Sequence, residues 1–358
     1  MQIRDVGLRV GMLLALLATV PVWSQGPVLS REIIATREVT PAQRAEIAGF
    51  VAHWVQELGS DSTMPDAFTR ITNANRALGS NIFRSPEVSV PFRLAYSEAL
   101  TPHLTRLIGG SDVAAAVRAM NIAARLGTDA ALNLLINEIS SADPTRRNAA
   151  ARSARLAVQD FQVGSARSIV TPAAISTLAR KVEQSALEEA NAFALQRQVE
   201  VLDAIFNAAV ARPDALTGMD TAIQDARIRV LAAQAARISP HEADTLTMMV
   251  ATLRAHYQAS PARQATDGPK LATAVNTMLA TCLRDWDEVR RDSAALSSFQ
   301  RLVEDSENFL IFIDSTLRSS SSTPKTQLKQ SWQSNDKQRF KTDHEQWSSI
   351  LQREPYRR

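Results

Sequence analysis

"DPTRRNAAARSARLAV", residues 143–158, decides how this chain is built. Asp143 followed by Pro144 marks a helix start: the carboxylate can accept from the free amides of the first turn, and proline at the next position loses no bond and has its φ already set. The body that follows is almost entirely alanine and arginine. Side chains so small do not fill a core by themselves. The segment therefore predicts a helix whose neighbours come unusually close, as happens when helix pairs are stacked in series.

The same punctuation recurs along the 358 residues, at Thr40-Pro41, Thr101-Pro102, Thr171-Pro172, Ser239-Pro240, Ser260-Pro261 and Thr323-Pro324. Gln43 and Glu242 each stand three residues after the first member of their pair, which is the reciprocal capping pattern. Between the starts the apolar spacing is helical. Val275, Met278, Leu279, Cys282, Leu283, Trp286 and Val289 form one amphipathic series, and Leu296, Phe299, Val303, Ser306, Leu310, Ile313 and Leu317 form another that absorbs the strand-like run "FLIFID" at 309–314. Only "PEVSVPF", residues 86–92, alternates, and its flanking prolines suit an extended linker better than a central strand. With 5% aromatic residues and 12 glycines against 45% hydrophobic content, the chain is expected to be all-α.

Upstream of the opening segment lies "SDVAAAVRAMNIAARLGTDAALNLLINEISSADP", a small-residue helix, a break at Gly127 and a second helix. Ala123-Ala124-Arg125-Leu126 recurs thirty residues later as Ser153-Ala154-Arg155-Leu156, and again as Ala235-Ala236-Arg237-Ile238. A repeat of about thirty residues implies an array of helix pairs, each covering its neighbour's apolar face. The pattern Asp225-x-x-Ile228-Arg229-x-x-Ala232-x-x-Ala235 resembles the second helix of HEAT-like repeats, and Leu126-Gly127-Thr128-Asp129-Ala130-Ala131-Leu132-x-x-Leu135 is similar to the turn and first helix of a following unit. The resemblance covers about 110–253. It implies antiparallel helix pairs stacked as an irregular α-solenoid, with Asp143, Arg147, Asp225 and Arg229 in a structural polar ladder. Arg146 stands where that family has an apolar residue, Asn121 where it has alanine, and 160–220 is irregular; an irregular helical bundle is the alternative architecture.

The first 24 residues place Arg4 and Arg9 before an apolar stretch, Val10–Val20, with Val22 and Ser24 ahead of Gln25, as a signal peptidase requires. A cleaved leader cut near Ser24-Gln25 is expected, and with it a periplasmic or secreted protein. The apolar run is shorter than the ~20 residues that span a bilayer, and no later segment is long and apolar enough. A linker at 25–39, a helical region at 40–108, the repeat region at 109–318 and a basic tail at 319–358, in which Phe340, His344, Trp347 and Leu351 step as one amphipathic helix, complete the plan. The lone Cys282 allows no intramolecular disulfide, and its place on an apolar face predicts an inert thiol.

Reactive chemistry is not indicated. His53, His103, His241, His256 and His344 form no metal pattern, and "HEAD" at His241 lacks the second histidine of a zinc-protease helix. Ser322-x-x-Lys325 lacks the companion motifs of penicillin-binding enzymes. Neither a cofactor nor a metal is expected. The tail carries eight Lys or Arg against four acids, and Lys325, Lys329, Lys337, Arg339 and Lys341 interleave with Trp332 and Trp347. That mixture suits an anionic polymer or lipid surface unless the aromatic side packs onto the body; export argues against nucleic acid. The sequence is thus read as an exported, non-catalytic helical-repeat protein binding a protein partner in the bacterial envelope. An exported hydrolase of an envelope polymer is the alternative.

Overall fold

The computed structural model describes residues 26–60, 64–81, 88–164, 167–238, 242–318, 324 and 326–357, and among them there is no strand. The expected leader, the Ser239/Glu242 capping box and Lys325 fall wholly or partly outside these residues. In chain order the helices are α1 (Arg31–Ile34), α2 (Pro41–Leu58), α3 (Ala67–Asn75, running into a π-helical turn, Arg76–Asn81), α4 (Val90–Gly109), α5 (Val113–Leu126), α6 (Asp129–Glu138), α7 (Pro144–Val163) and α8 (Pro172–Glu188). They continue as α9 (Ala192–Ala211), α10 (Met219–Ala235), α11 (Ala243–Ala259), α12 (Pro261–Arg284), α13 (Trp286–Arg291), α14 (Ser293–Arg318), α15 (Leu328–Gln333) and α16 (Lys337–Leu351). No helix is long and apolar enough to cross a membrane among the described residues.

Local chemistry sets most starts. Thr40 and Gln43 form the reciprocal cap of α2, Asp143 accepts from the Thr145 amide at 2.8 Å, and Thr171 accepts from the Ala174 amide at 3.2 Å. Thr101-Pro102 starts no helix. It lies inside α4, which begins earlier, where Ser89 accepts from the Phe92 amide at 3.2 Å. Val90-Pro91-Phe92, expected as linker, is therefore the first helical turn. Pro102 is tolerated because it sits on the solvent side, where the carbonyl of exposed Glu98 that it leaves without a donor can bond to water. The series from Val275 to Val289 is also two helices, broken at Asp285, whereas the second series and "FLIFID" form one, α14. After Pro324 the next helix waits until Leu328.

From α4 to α12 each helix packs on the next but one, and on the next as well except between α7 and α8. The result is two ranks: α4, α6, α8, α10 and α12 in the first, continued by α16, and α5, α7, α9 and α11 in the second, continued by α14. From α4 to α12 the helices of one rank run parallel, because their starts and ends meet, whereas α16 lies along α12 in the opposite sense, with Phe340 against Trp286 at one end and Tyr356 beside Pro269 at the other. In the first rank, Thr171 at the start of α8 donates its amide and hydroxyl to the Asp129 carboxylate at the start of α6, both at 2.7 Å. In the second rank, Asn148 donates to the Phe193 carbonyl at 3.0 Å, near the starts of α7 and α9, and Arg212 donates to the Phe161 carbonyl at 2.7 Å, near their ends.

The first rank repeats one device. The last carbonyls of a helix lack intrahelical partners, and those of α6, α8 and α10 each receive a donor from the next helix in the rank, while at the end of α4 Arg146 of α7 takes that place. Ser185 donates to the Ile139 carbonyl at 3.0 Å, Gln234 to that of Ala186 at 2.6 Å, and Thr281 to that of Ala235 at 2.8 Å, over separations of 46, 48 and 46 residues. The structural period is thus longer than thirty. The shorter spacing holds at the start of the array, where Ser97 of α4 meets Thr128 before α6 across 31 residues and Ser153 of α7 donates to Asn121 of α5 at 3.3 Å across 32; α6 has 10 residues where α8 has 17.

The alanines of the opening segment now have a reason. Ala149, Ala150, Ala151, Ala154 and Ala157 are buried with Ser153 where α7 lies between α5 and α9. By contrast, Ala235-Ala236-Arg237-Ile238 ends α10, in the other rank, so its likeness to Ser153-Ala154-Arg155-Leu156 is one of composition rather than of place.

Candidate functional site

The four residues expected in a polar ladder do not pair with one another as Asp and Arg. Arg147 grips Glu189, just past α8, with two bonds of 2.7 Å, and also donates to the carbonyls of Ser141 and Ala142. Glu189 is buried; burial alone would raise its pKa, but the Arg147 fork, the Asn191 amide and Gln198 outweigh that and hold it below the usual carboxylate range. Asp143 is a helix cap. Arg229 reaches Glu183 of α8 at 2.6 Å, and Asp225 receives Arg263 of α12 at 3.0 Å and Lys270 at 3.5 Å. These pairs join successive first-rank helices, or join them to α7. The acidic partners lie about 40 residues away in sequence, so no local signal marks them.

The tail turns inward. Trp332, Phe340 and Trp347 are fully buried, Trp332 lying 4.5 Å from Trp286 in an edge-to-face arrangement. Of the two arrangements expected for the tail, the aromatic side packs onto the body: burying the indoles of Trp332 and Trp347 against α12–α14 removes more apolar area from water than any exposed arrangement. Glu307 of α14 accepts from the amides of Leu328 and Lys329 and from Thr326, whose hydroxyl in turn takes the Trp347 indole proton at 3.0 Å. Lys329 pairs with Glu304, Lys337 with Asp287 at 2.7 Å and Lys341 with Glu345 at 3.8 Å, while Arg339 donates to Gln327. The basic groups are thus largely neutralised by the chain's own acids.

One cluster does bring an acid, a base and a cation together. Arg227 of α10, 1% exposed, lies 2.8 Å from Asp203 of α9, donates to His256 Nδ1 of α11 at 2.5 Å and to Gln224, and sits over the Phe206 ring. Because guanidinium can only donate, Nδ1 accepts and the neutral ring keeps its proton on Nε2. His256 is pushed down to about 4, by burial first and by Arg227 second. Burial raises Asp203 and lowers Arg227, so desolvation outweighs their mutual attraction on both sides. Arg227 stands between Asp203 and His256, so the acid does not orient the imidazole as a hydrolytic base would require. The cluster welds three helices. Cys282 is inert as expected, its thiol pushed up to about 12 by burial and by Asp285.

Open grooves follow the first rank. One, ≈ 670 Å³, lies between α4 and α6 and is lined by Leu94, Pro102, Thr128 and Ile169. A second, ≈ 530 Å³, lies between α10 and α12 among Ala232, Ala265, Pro269, Lys270 and Tyr356. A third, ≈ 330 Å³, is polar and joins the end of α6 to α8 around Arg147, Lys181 and Glu189. In the first groove the Thr171 hydroxyl is tied to the Asp129 carboxylate as part of the joint between α8 and α6, and no cluster of metal-ligating side chains occurs among the described residues. No protein-family model matches the chain, and neither does any curated protein or any solved structure.

Proposed function

We propose that this chain is an exported, non-catalytic helical-repeat protein of the bacterial envelope, its helix pairs stacked as an irregular HEAT-like α-solenoid, and that it binds another exported protein. The observation that carries the reading is the recurrent end-to-end donation along α6, α8, α10 and α12. A chain that repeats the same joint between parallel helices builds two long outer faces, and such faces suit the grip of a macromolecule better than the enclosure of a small substrate. The apolar stretch behind Arg4 and Arg9 supports export.

Expression of the full chain in a bacterial host tests both halves. Mass spectrometry of the exported product should find a new N-terminus near Gln25. Photocrosslinkers placed at exposed Leu94 on the first rank and at Arg152 on the second should capture one and the same exported protein from at least one of these faces. An unprocessed chain retained in the cytoplasm would overturn export, and hydrolysis of envelope polymers by the purified chain would overturn the non-catalytic reading.

A further inference from the structure

The second rank carries two matching stripes. On α7, Asn148, Arg152, Arg155, Gln159 and Val163 fall at helical intervals on the partly or fully exposed side, and on α9 so do Phe193, Arg197, Glu200, Asn207 and Val210. The helices are parallel and in register, with Asn148 bonded to Phe193 at one end and Arg155 3.6 Å from Glu200 in the middle. Phe193, Val163 and Val210 are 71%, 62% and 59% exposed. The joint face is therefore apolar at both ends and basic between. From Phe193 to Val210 the stripe runs about 26 Å at ~1.5 Å per residue.

The middle is incompletely neutralised. Arg155 and Arg197 share Glu200, Arg152 is exposed without a carboxylate, and on α5 Arg118 has only Asp112 at 3.8 Å. The Nε atoms of Arg118 and Arg155 are buried and lack hydrogen-bond acceptors. The exposed Arg152 and the outer donors of Arg155 and Arg197, each about a third exposed, favour a planar carboxylate that approaches from outside. Charge complementarity therefore selects the occupant.

Resting on the protein-binding reading above, we infer that the α5–α7–α9 face receives an acidic segment of the partner protein, with carboxylates over Arg118, Arg152, Arg155 and Arg197 and apolar residues at its ends against Phe193 and the Val163/Val210 pair. Glu200 holds Arg155 and Arg197 in place until the segment arrives. The apolar ends fix its register.

The test uses the full chain and a fluorescent peptide of about 18 residues, long enough as a helix to span the stripe, with glutamates in the middle and leucines at both ends. Anisotropy should report binding at low ionic strength that weakens steeply with salt. Arg152→Glu, at an exposed position, should weaken it at least about tenfold, and Phe193→Ala severalfold, while Lys181→Glu on the opposite rank leaves it unchanged. Circular dichroism confirms that each variant is folded. Absence of binding, indifference to Arg152→Glu, or equal binding of polyphosphate or an oligonucleotide would overturn the assignment. If the peptide fails while the Leu94 crosslink still captures an exported protein, this inference falls alone; if neither face crosslinks, the protein-binding reading falls as well.

Discussion

Replacing His256 with glutamine should flatten the acid side of the stability profile. The imidazole accepts from a buried guanidinium and stacks on Phe206 with ring centroids 4.1 Å apart, and its pKa is about 4 rather than 6.5. Above pH 6.5 folded and unfolded chains both hold a neutral ring, and the group contributes no pH dependence. Between 6.5 and about 4 the unfolded chain takes up a proton that the folded one refuses, so stability declines as pH falls, and the loss is complete below about 4. At ~1.36 kcal/mol per pH unit the displacement corresponds to roughly 3.4 kcal/mol, which water at the half-buried ring reduces to about 1–2 kcal/mol. Asp203, raised by burial, works in the opposite sense nearer the acid end, because the folded chain protonates it first. Urea unfolding followed by far-UV circular dichroism, at about pH 7.5 and about pH 4.5, measures the difference. Glutamine keeps an acceptor for Arg227 and does not titrate, so the wild type should lose about 1–2 kcal/mol more than His256→Gln over this interval. Parallel profiles would refute the coupling of His256 to Arg227.

Three further outcomes follow from the packing. Ala154→Leu forces a larger side chain into the contact of α7 with α5 and α9 and should cost about 1–3 kcal/mol, seen as a lower Tm. Arg147→Met strands a buried carboxylate at Glu189; the cost should be about 3 kcal/mol at pH 7 and shrink as the pH falls through the usual carboxylate range, where Glu189 can neutralise itself. Glu307→Ala leaves two amides and a hydroxyl at the start of α15 without their acceptor, so urea unfolding should show a loss of about 2 kcal/mol, and the fluorescence of Trp332 and Trp347 should shift to the red as the tail loosens.

How far the sequence could be read depended on how far each interaction reaches. Caps act within three residues, so Thr40, Asp143 and Thr171 announced their helices from their own neighbourhood, and the apolar period did the same for α14 and α16. Helix content and the closely approached alanines of α7 were therefore properties of the chain itself. Rank was not: Ser153 and Ala235 stand in like sequence surroundings, yet a helix's rank depends on how many helices precede it, and its spacing from the last member of that rank on their lengths. Arg147 could not declare Glu189 as its partner across 42 residues, nor could Trp332 and Trp347 declare whether they face water or α12–α14. Local hydrogen bonds and side-chain volume wrote the helices into the sequence, whereas partners and exposed faces came only when the ranks closed, because desolvation depends on everything that packs around a residue at once.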